Sequence, residues 1–354
     1  MKKCLPLFKK PPKNICILRL SAIGDVSNTV PLISAIQTQW PSTKITWVVG
    51  QIEYNLIKNI PKVKFITFNK KNGIKEYLKL RKELKNEKFD ALLNLQSSMR
   101  ANLISLFIKS KYKLGYSKNR SRELQHFFTN VKVQPAQSVH VLDNFMSFGK
   151  CLGVSEEKIS WNIPINQVSL ENLKKKIPNQ PICILIPSAS NPQRNWTIDG
   201  YLKLIEYLNK LGFHIILAGS PASREVVFAN KIAENCSCEV LNFVGKTSLE
   251  DLYALISIAN LVVAPDTGPA HLAASLNIPT VGLYAYQNPQ RTGPYNFIQY
   301  TVNAYDEALK KERDSVQKNW RYRIKNEKAM ELIKIKDVKE KIEQIIFDKN
   351  IQIN

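Results

Sequence analysis

Residues 261–274 read LVVAPDTGPAHLAA: four apolar residues, a turn, then an Ala-rich run. How this stretch is read decides the fold. An apolar run of strand length that passes through a short turn into a helix is the joint of a βαβ unit. Pro269 suits the first helical turn, where a missing N–H costs nothing. Thr267 and Gly268 then leave backbone N–H groups at the positive end of a helix, a ready anion site, and Gly268 lets a phosphate approach closely. Asp266 reads either as a helix cap or as a carboxylate beside a ligand, and both can hold at one helix start. His271, one turn in, is either a buried helix histidine or a group within reach of a phosphate or hydroxyl. The tripeptide DTG alone suggests an aspartic protease. That chemistry needs a second such motif in an all-β setting, and this chain has one, in an α/β setting.

Working outward, the same joint recurs. Residues 15–20 (ICILRL) read as a strand, 22–25 as a turn, and 26–40 as a helix with Val30, Ile33 and Ile36 at three-residue spacing. Strands follow at 44–49 and 91–95, with a charged amphipathic helix at 75–85 between them. The pattern restarts with a strand at 182–186, a helix at 198–211 and a strand at 214–218. TSLE at 247–250 is a capping-box signature opening a helix to 259, and 280–283 is a further strand. Near-continuous apolar strands belong to parallel sheets covered on both faces. With 354 residues, the expectation is α/β, two Rossmann-like doubly wound parallel-sheet domains facing a central cleft, with ligands at the carboxyl ends of strands. The expected domains are 1–160 and 182–304. A polar linker at 161–181 joins them, and a charged helical tail at 305–354 packs back toward the N-terminal domain.

Two more loops carry chemistry. Residues 19–25 (RLSAIGD) place Arg19, Ser21, Gly24 and Asp25 at the mouth of the first sheet. The loop is not GxGxxG, so dinucleotide binding is unsupported. Asp25 reads equally as a proton acceptor for an incoming hydroxyl or as a cap for the next helix. Residues 187–196 (PSASNPQRNW) offer the hydroxyls of Ser188 and Ser190 and then Arg194, whose guanidinium suits phosphate oxygens.

Composition sets the class of partner. The net charge of +22 favours anionic partners, although a bias toward Lys, Asn and Ile spread over solvated faces accounts for it equally well. A nucleic-acid binder would cluster Arg and Lys among aromatics, whereas these lysines are dispersed. No apolar run nears the roughly 20 residues of a membrane span, and the leader MKKCLPLFKKPPKN has no signal-peptide core. Cytoplasmic placement is the expectation. Cys16 and Cys183 fall within apolar strands and read as reduced, buried thiols. No cysteine or histidine spacing suggests zinc.

Taken together, RLSAIGDV, PSASNPQRNW, GKTSLEDL and VAPDTGPAHLAASLNIPTVGLY resemble, in order and spacing, the ADP-heptose:lipopolysaccharide heptosyltransferases. These are inverting glycosyltransferases of the GT-B fold. YQNPQRTGPY, VNAYDEA and the basic tail look most like the branch that adds the first heptose to Kdo. The resemblance implies transfer of heptose from ADP-heptose to Kdo-lipid A, or a related transfer with another nucleotide sugar or acceptor. It implies Asp25 as catalytic base and Arg194, where the family commonly has Lys, stabilising the departing ADP. Ser188, Ser190, Thr247, Asp266, Thr267, Gly268 and His271 match donor-side positions. A ribose-binding glutamate falls within 220–225, where Ser223 stands nearest the matching position and Glu225 two residues on. Arg19 matches a basic residue near the reacting centre, and Arg19, Ser21, Arg100, Arg120, Arg122 and His140 are candidates for binding the anionic acceptor. No cofactor or metal is implied, nor a nucleic-acid partner. A peripheral place on the inner membrane is implied, with the helix at 75–88 and Trp320, Arg321, Tyr322 and Arg323 resting on anionic headgroups.

Overall fold

The computed structural model describes residues 6–155, 158–178, 180–312 and 321–353. The chain forms two compact units, Met1–Pro164 and Ile165–Asn354. The first holds a parallel sheet of β1 (Asn14–Leu18), β2 (Lys44–Gly50), β3 (Val63–Phe68), β4 (Phe89–Asn94), β5 (Ser110–Tyr116) and β6 (Val131–Val133), in the order β3-β2-β1-β4-β5-β6. The second repeats the plan with β7 (Ile182–Leu185), β8 (His214–Leu217), β9 (Val240–Asn242), β10 (Leu261–Pro265), β11 (Thr280–Tyr284) and β12 (Val302–Asn303), in the order β12-β11-β10-β7-β8-β9. Every residue of β7, β10 and β11 is buried, as strands covered on both faces must be.

Each unit's first strand is central, with the next strand on one side and the fourth on the other. The winding reverses there, so a crevice opens at the carboxyl ends of β1 and β4 in one unit and of β7 and β10 in the other. Residues 19–25 follow β1, 187–194 follow β7, and 266–268 follow β10. The topology therefore carries all three loops to switch points. At Gly50, which ends β2, an added Cβ would lie 2.4 Å from the Leu20 carbonyl oxygen. That close approach leaves room only for glycine beside the first turn.

The structure redraws several expected boundaries. The helix expected at 26–40 is two, Ile23–Ser27 and Val30–Gln39. Pro31 lacks the N–H that would bond back to Ser27, so a new helix begins there. The capping box sits one residue on: the Ser248 hydroxyl accepts from Asp251 N at 3.1 Å, and Ser248 N donates to Asp251 Oδ2 at 3.2 Å. The polar connector contains a helix, Gln167–Lys174, capped by Asn166. The tail contributes Ile335–Lys349, whose Val338, Ile342 and Ile345 are fully buried in the same apolar cluster as Val281 and Leu283 of β11. Each such side chain contributes about 1.5–3 kcal/mol. This helix is thus a structural part of the second unit. Cys16 and Cys183 are buried free thiols, both pushed upward in pKa by burial.

Candidate functional site

In the second unit, Thr267 and not Asp266 caps the helix Gly268–Ser275, its hydroxyl accepting from Ala270 N at 3.4 Å. The Asp266 side chain is released for other work. Arg194 Nη1 lies 3.1 Å from Asp266 Oδ2 and donates to the Asp266 carbonyl at 3.0 Å, and His271 Nε2 is 3.8 Å from Asp266 Oδ1. Burial alone would raise the Asp266 pKa. The hydrogen bond from His271, with the charges of Arg194, His271 and Arg291, outweighs it and holds the carboxyl below its usual range. Arg194 also sits over the Tyr286 ring, 6.0 Å from its centre. An anionic side chain, two guanidiniums and a histidine thus converge where a helix presents its positive end.

Among the described residues, the buried polar atoms without a hydrogen-bond partner include Ser188 Oγ and Arg194 Nε on the loop after β7 and Thr247 Oγ1 after β9. Buried groups of this kind are normally satisfied, so those of Ser188 and Arg194, on the loop that carries Arg194 to Asp266, fit a polar ligand. Glu225 is buried and accepts from Ser220 N at 3.2 Å, just past the end of β8. Ser190 is exposed, and its carbonyl accepts from Arg224 Nη2 at 2.9 Å. The loop is braced by Asn195 Oδ1, which accepts from Ala189 N at 2.8 Å.

In the first unit, Asp25 lies in the first turn of Ile23–Ser27, and Ala22 occupies the cap position. Asp25 forms an ion pair with Arg19, which donates through Nη1 to the Leu95 carbonyl at 2.7 Å and sits over the Phe145 ring at 5.3 Å. Gln96 Oε1 accepts from Leu20 N at 2.7 Å and Ser21 N at 3.3 Å, tying the end of β4 to the turn after β1. Tyr116 also donates to Leu95 O, at 3.0 Å, and Arg120, which hydrogen-bonds Asn144, interacts electrostatically with Tyr116. Arg19 and Tyr116 therefore share the Leu95 carbonyl. Arg100 and Arg122 are exposed, the latter joined through its backbone to Ser97 Oγ. His140 is buried and caps the helix Val141–Leu152 through Nδ1, 3.1 Å from Leu142 N. Asn144, which accepts from Arg120, also donates through Nδ2 to the His140 carbonyl at 2.7 Å, so this cap sits beside one of the other acceptor candidates.

Sequence reading missed several contributors. Tyr284, at the end of β11, donates to Thr292 O at 2.8 Å; its burial and the Asp266 charge raise its pKa well above the ordinary value. Tyr286 and Arg291 lie within YQNPQRTGPY but carry no assigned role in the sequence reading, and Gln96 and Tyr116 are not singled out there; the position of Gln96 just after a strand is the signal that could have found it. Glu53, after β2, has its pKa raised by burial, against the lowering effects of a backbone hydrogen bond, Lys70 and Arg19. Among the described residues, no three or more His, Cys, Asp or Glu side chains gather as a metal site, and no helix is long and apolar enough to cross a membrane. Trp320 lies outside the described residues.

Comparison with known proteins accords with this geometry. Residues 77–322 match glycosyltransferase family 9 (heptosyltransferase). The lipopolysaccharide core heptosyltransferase OpsX of Haemophilus influenzae is 40% identical over 337 residues, covering 94% of this chain and 97% of that protein. A family 9 glycosyl transferase from Veillonella parvula superposes with a TM-score of 0.77 at 20% identity, over 97% of this chain and 99% of that one. The E. coli heptosyltransferase WaaC with ADP-2-deoxy-2-fluoro heptose superposes with a TM-score of 0.64 at 22% identity, over 85% of this chain and 100% of that one. The two doubly wound units are thus those of the GT-B fold, and the chain belongs to glycosyltransferase family 9, the heptosyltransferases.

Proposed function

We propose that the protein transfers heptose from ADP-heptose to the Kdo of a lipid A-Kdo acceptor in the lipopolysaccharide inner core, with inversion and without a metal. The observation that carries the donor half is the Asp266–Arg194–His271 cluster at the start of Gly268–Ser275, with the buried Arg194 Nε left without a hydrogen-bond partner. The name of the OpsX relative and the ADP-sugar bound by WaaC support the donor and the pathway.

In this mechanism Asp25 accepts the proton of the Kdo hydroxyl as its oxygen attacks the anomeric carbon. The bond from that carbon to the diphosphate oxygen breaks on the opposite face, and ADP leaves. Arg19, anchored on Leu95 and Phe145, holds the Asp25 carboxylate in place. Arg194 and the N–H groups at Thr267 and Gly268 receive the charge that develops on the diphosphate, and fixed donors of this kind lower a barrier by several kcal/mol. Thr247 and Glu225 meet the nucleoside, Ser188 and Ser190 the diphosphate, and Arg100, Arg120 and Arg122 the acceptor's anionic groups.

The test is incubation with Kdo-lipid A and, in parallel, ADP-, GDP- and UDP-sugars in the presence of EDTA, with the product read by mass spectrometry. Addition of one heptosyl residue from ADP-heptose is expected. Transfer from another nucleotide sugar alone, or none once EDTA is present, would overturn the assignment.

A further inference from the structure

The proposed reaction leaves Arg19 with a charge to be balanced. Its side chain is 11% exposed and forms an ion pair with Asp25. Nη1 is committed to the Leu95 carbonyl, a neutral acceptor, and Nε is buried without a hydrogen-bond partner. When Asp25 takes the proton of the attacking hydroxyl, its carboxyl becomes neutral and no longer offsets the guanidinium. A largely buried cation left in that state is unfavourable, and the cost falls on the transition state. A second anion beside Arg19 offsets it.

Glu53 stands where that anion is needed. It lies in the first turn of Gln51–Ile57, the helix that follows β2, and β2 pairs with β1. A Cβ on Gly50 would collide with Glu53 Oε2 as well as with the Leu20 carbonyl oxygen, so the carboxylate lies beside the residue that follows Arg19. The same turn is gripped from β2: Gly50 N donates to the Leu20 carbonyl at 2.9 Å, and the Trp47 indole donates to the Arg19 carbonyl at 3.1 Å. Burial opposes the charged form of Glu53, while its own backbone N–H, Lys70 and Arg19 favour it. We propose that Glu53 is a positioning residue for the transfer, the second counter-charge of Arg19, which holds the guanidinium when Asp25 becomes protonated. The proton passes from the hydroxyl to Asp25 as the new oxygen–carbon bond forms, and Glu53 neither gives nor takes one. The inference rests on Asp25 being the base. A helix cap alone would need only the hydrogen bond to Glu53 N, which glutamine also makes.

The test separates charge from shape in the full chain. Glu53→Gln keeps the size and the acceptor oxygen but removes the charge, whereas Glu53→Asp keeps the charge. Glu53→Gln should lower kcat for heptosyl transfer by about tenfold, within the range of couplings in one charge network, with calorimetric ADP affinity unchanged. Glu53→Asp should recover most of that loss. The pH–rate profile is a second readout. Burial raises the pKa of Glu53, so in wild type its charge is lost as pH falls through that raised value. Glu53→Gln should therefore lower the plateau and move the acid limb to lower pH. Thermal unfolding is a third readout, independent of turnover. Glu53→Gln should lower the melting temperature more in Asp25→Asn, where Arg19 already lacks one anion, than in wild type. Equal kcat in wild type and Glu53→Gln, equal losses in Glu53→Gln and Glu53→Asp, an acid limb that stays in place, or an additive melting-temperature cycle would overturn the proposal. Retained turnover in Asp25→Ala would instead overturn the proposed base, and the melting-temperature cycle would still decide whether Glu53 balances Arg19.

Discussion

The two strand-to-helix turns that hold Asp25 and Asp266 look alike in sequence and are built differently. Asp266 is 8% exposed and shared among Arg194, His271 and the field of Arg291. Asp25 is 33% exposed and, among the described residues, is paired with the Arg19 guanidinium. A carboxylate buried among cations resists protonation and works by fixing the charges around it. A half-exposed carboxylate with a single partner can turn to an incoming hydroxyl and take its proton. The contrast teaches that an aspartate at a helix start is not a role: burial and the number of partners separate the positioning group from the proposed base.

The largest effect that would sharpen this contrast is at Asp25. Asp25→Ala should lower kcat by roughly 10²–10⁴-fold, the range for a lost general base, with ADP affinity retained. Steady-state transfer kinetics check it. Arg194→Ala should lower kcat by about 10²–10³-fold, as for a lost oxyanion donor, and weaken ADP as well. Arg194→Lys should recover part of both, since the charge returns without the bidentate fork.

Asp266→Asn should act first on stability, by roughly 2–4 kcal/mol, because it leaves a largely buried guanidinium short of its counter-charge. Its pH dependence follows from the direction of the shift. A folded-state pKa held below the ordinary carboxyl value gives stability that is complete above that value and is lost as pH falls through the folded one. The melting-temperature gap between wild type and Asp266→Asn should therefore be constant near neutrality and shrink in acid. A gap that widens in acid would contradict it. The smallest effect is at Ser188. Ser188→Ala removes an unpartnered hydroxyl, so stability should hold while ADP affinity falls by about three- to tenfold, one hydrogen bond's worth, in a calorimetric titration.

Much of this architecture is legible in the sequence, for physical reasons. Strands buried on both faces must be apolar throughout, so β1, β7, β10 and β11 declare themselves, and the turns after them mark the switch points. Arg194, Asp266 and His271 were readable because they sit on those turns. What stayed hidden depends on neighbours distant in the chain. Tyr284 is an ordinary strand residue until Asp266 is beside it, and Gln96 matters only because β4 is paired next to β1. Local chemistry also misplaced small features. Thr247 resembles a cap, yet Ser248 makes the reciprocal pair with Asp251, leaving the Thr247 hydroxyl buried and uncommitted. His140 carries a charge-capable ring, but its backbone position turns it into a helix cap.

The division of labour between the turns is tested most directly by titrating ADP calorimetrically into wild type, Asp25→Ala and Arg194→Ala. The account predicts that Asp25→Ala binds ADP as wild type does and that Arg194→Ala binds it at least about tenfold more weakly, the loss of a charge-assisted hydrogen bond. Equal weakening in both variants, or weakening in Asp25→Ala alone, would contradict it.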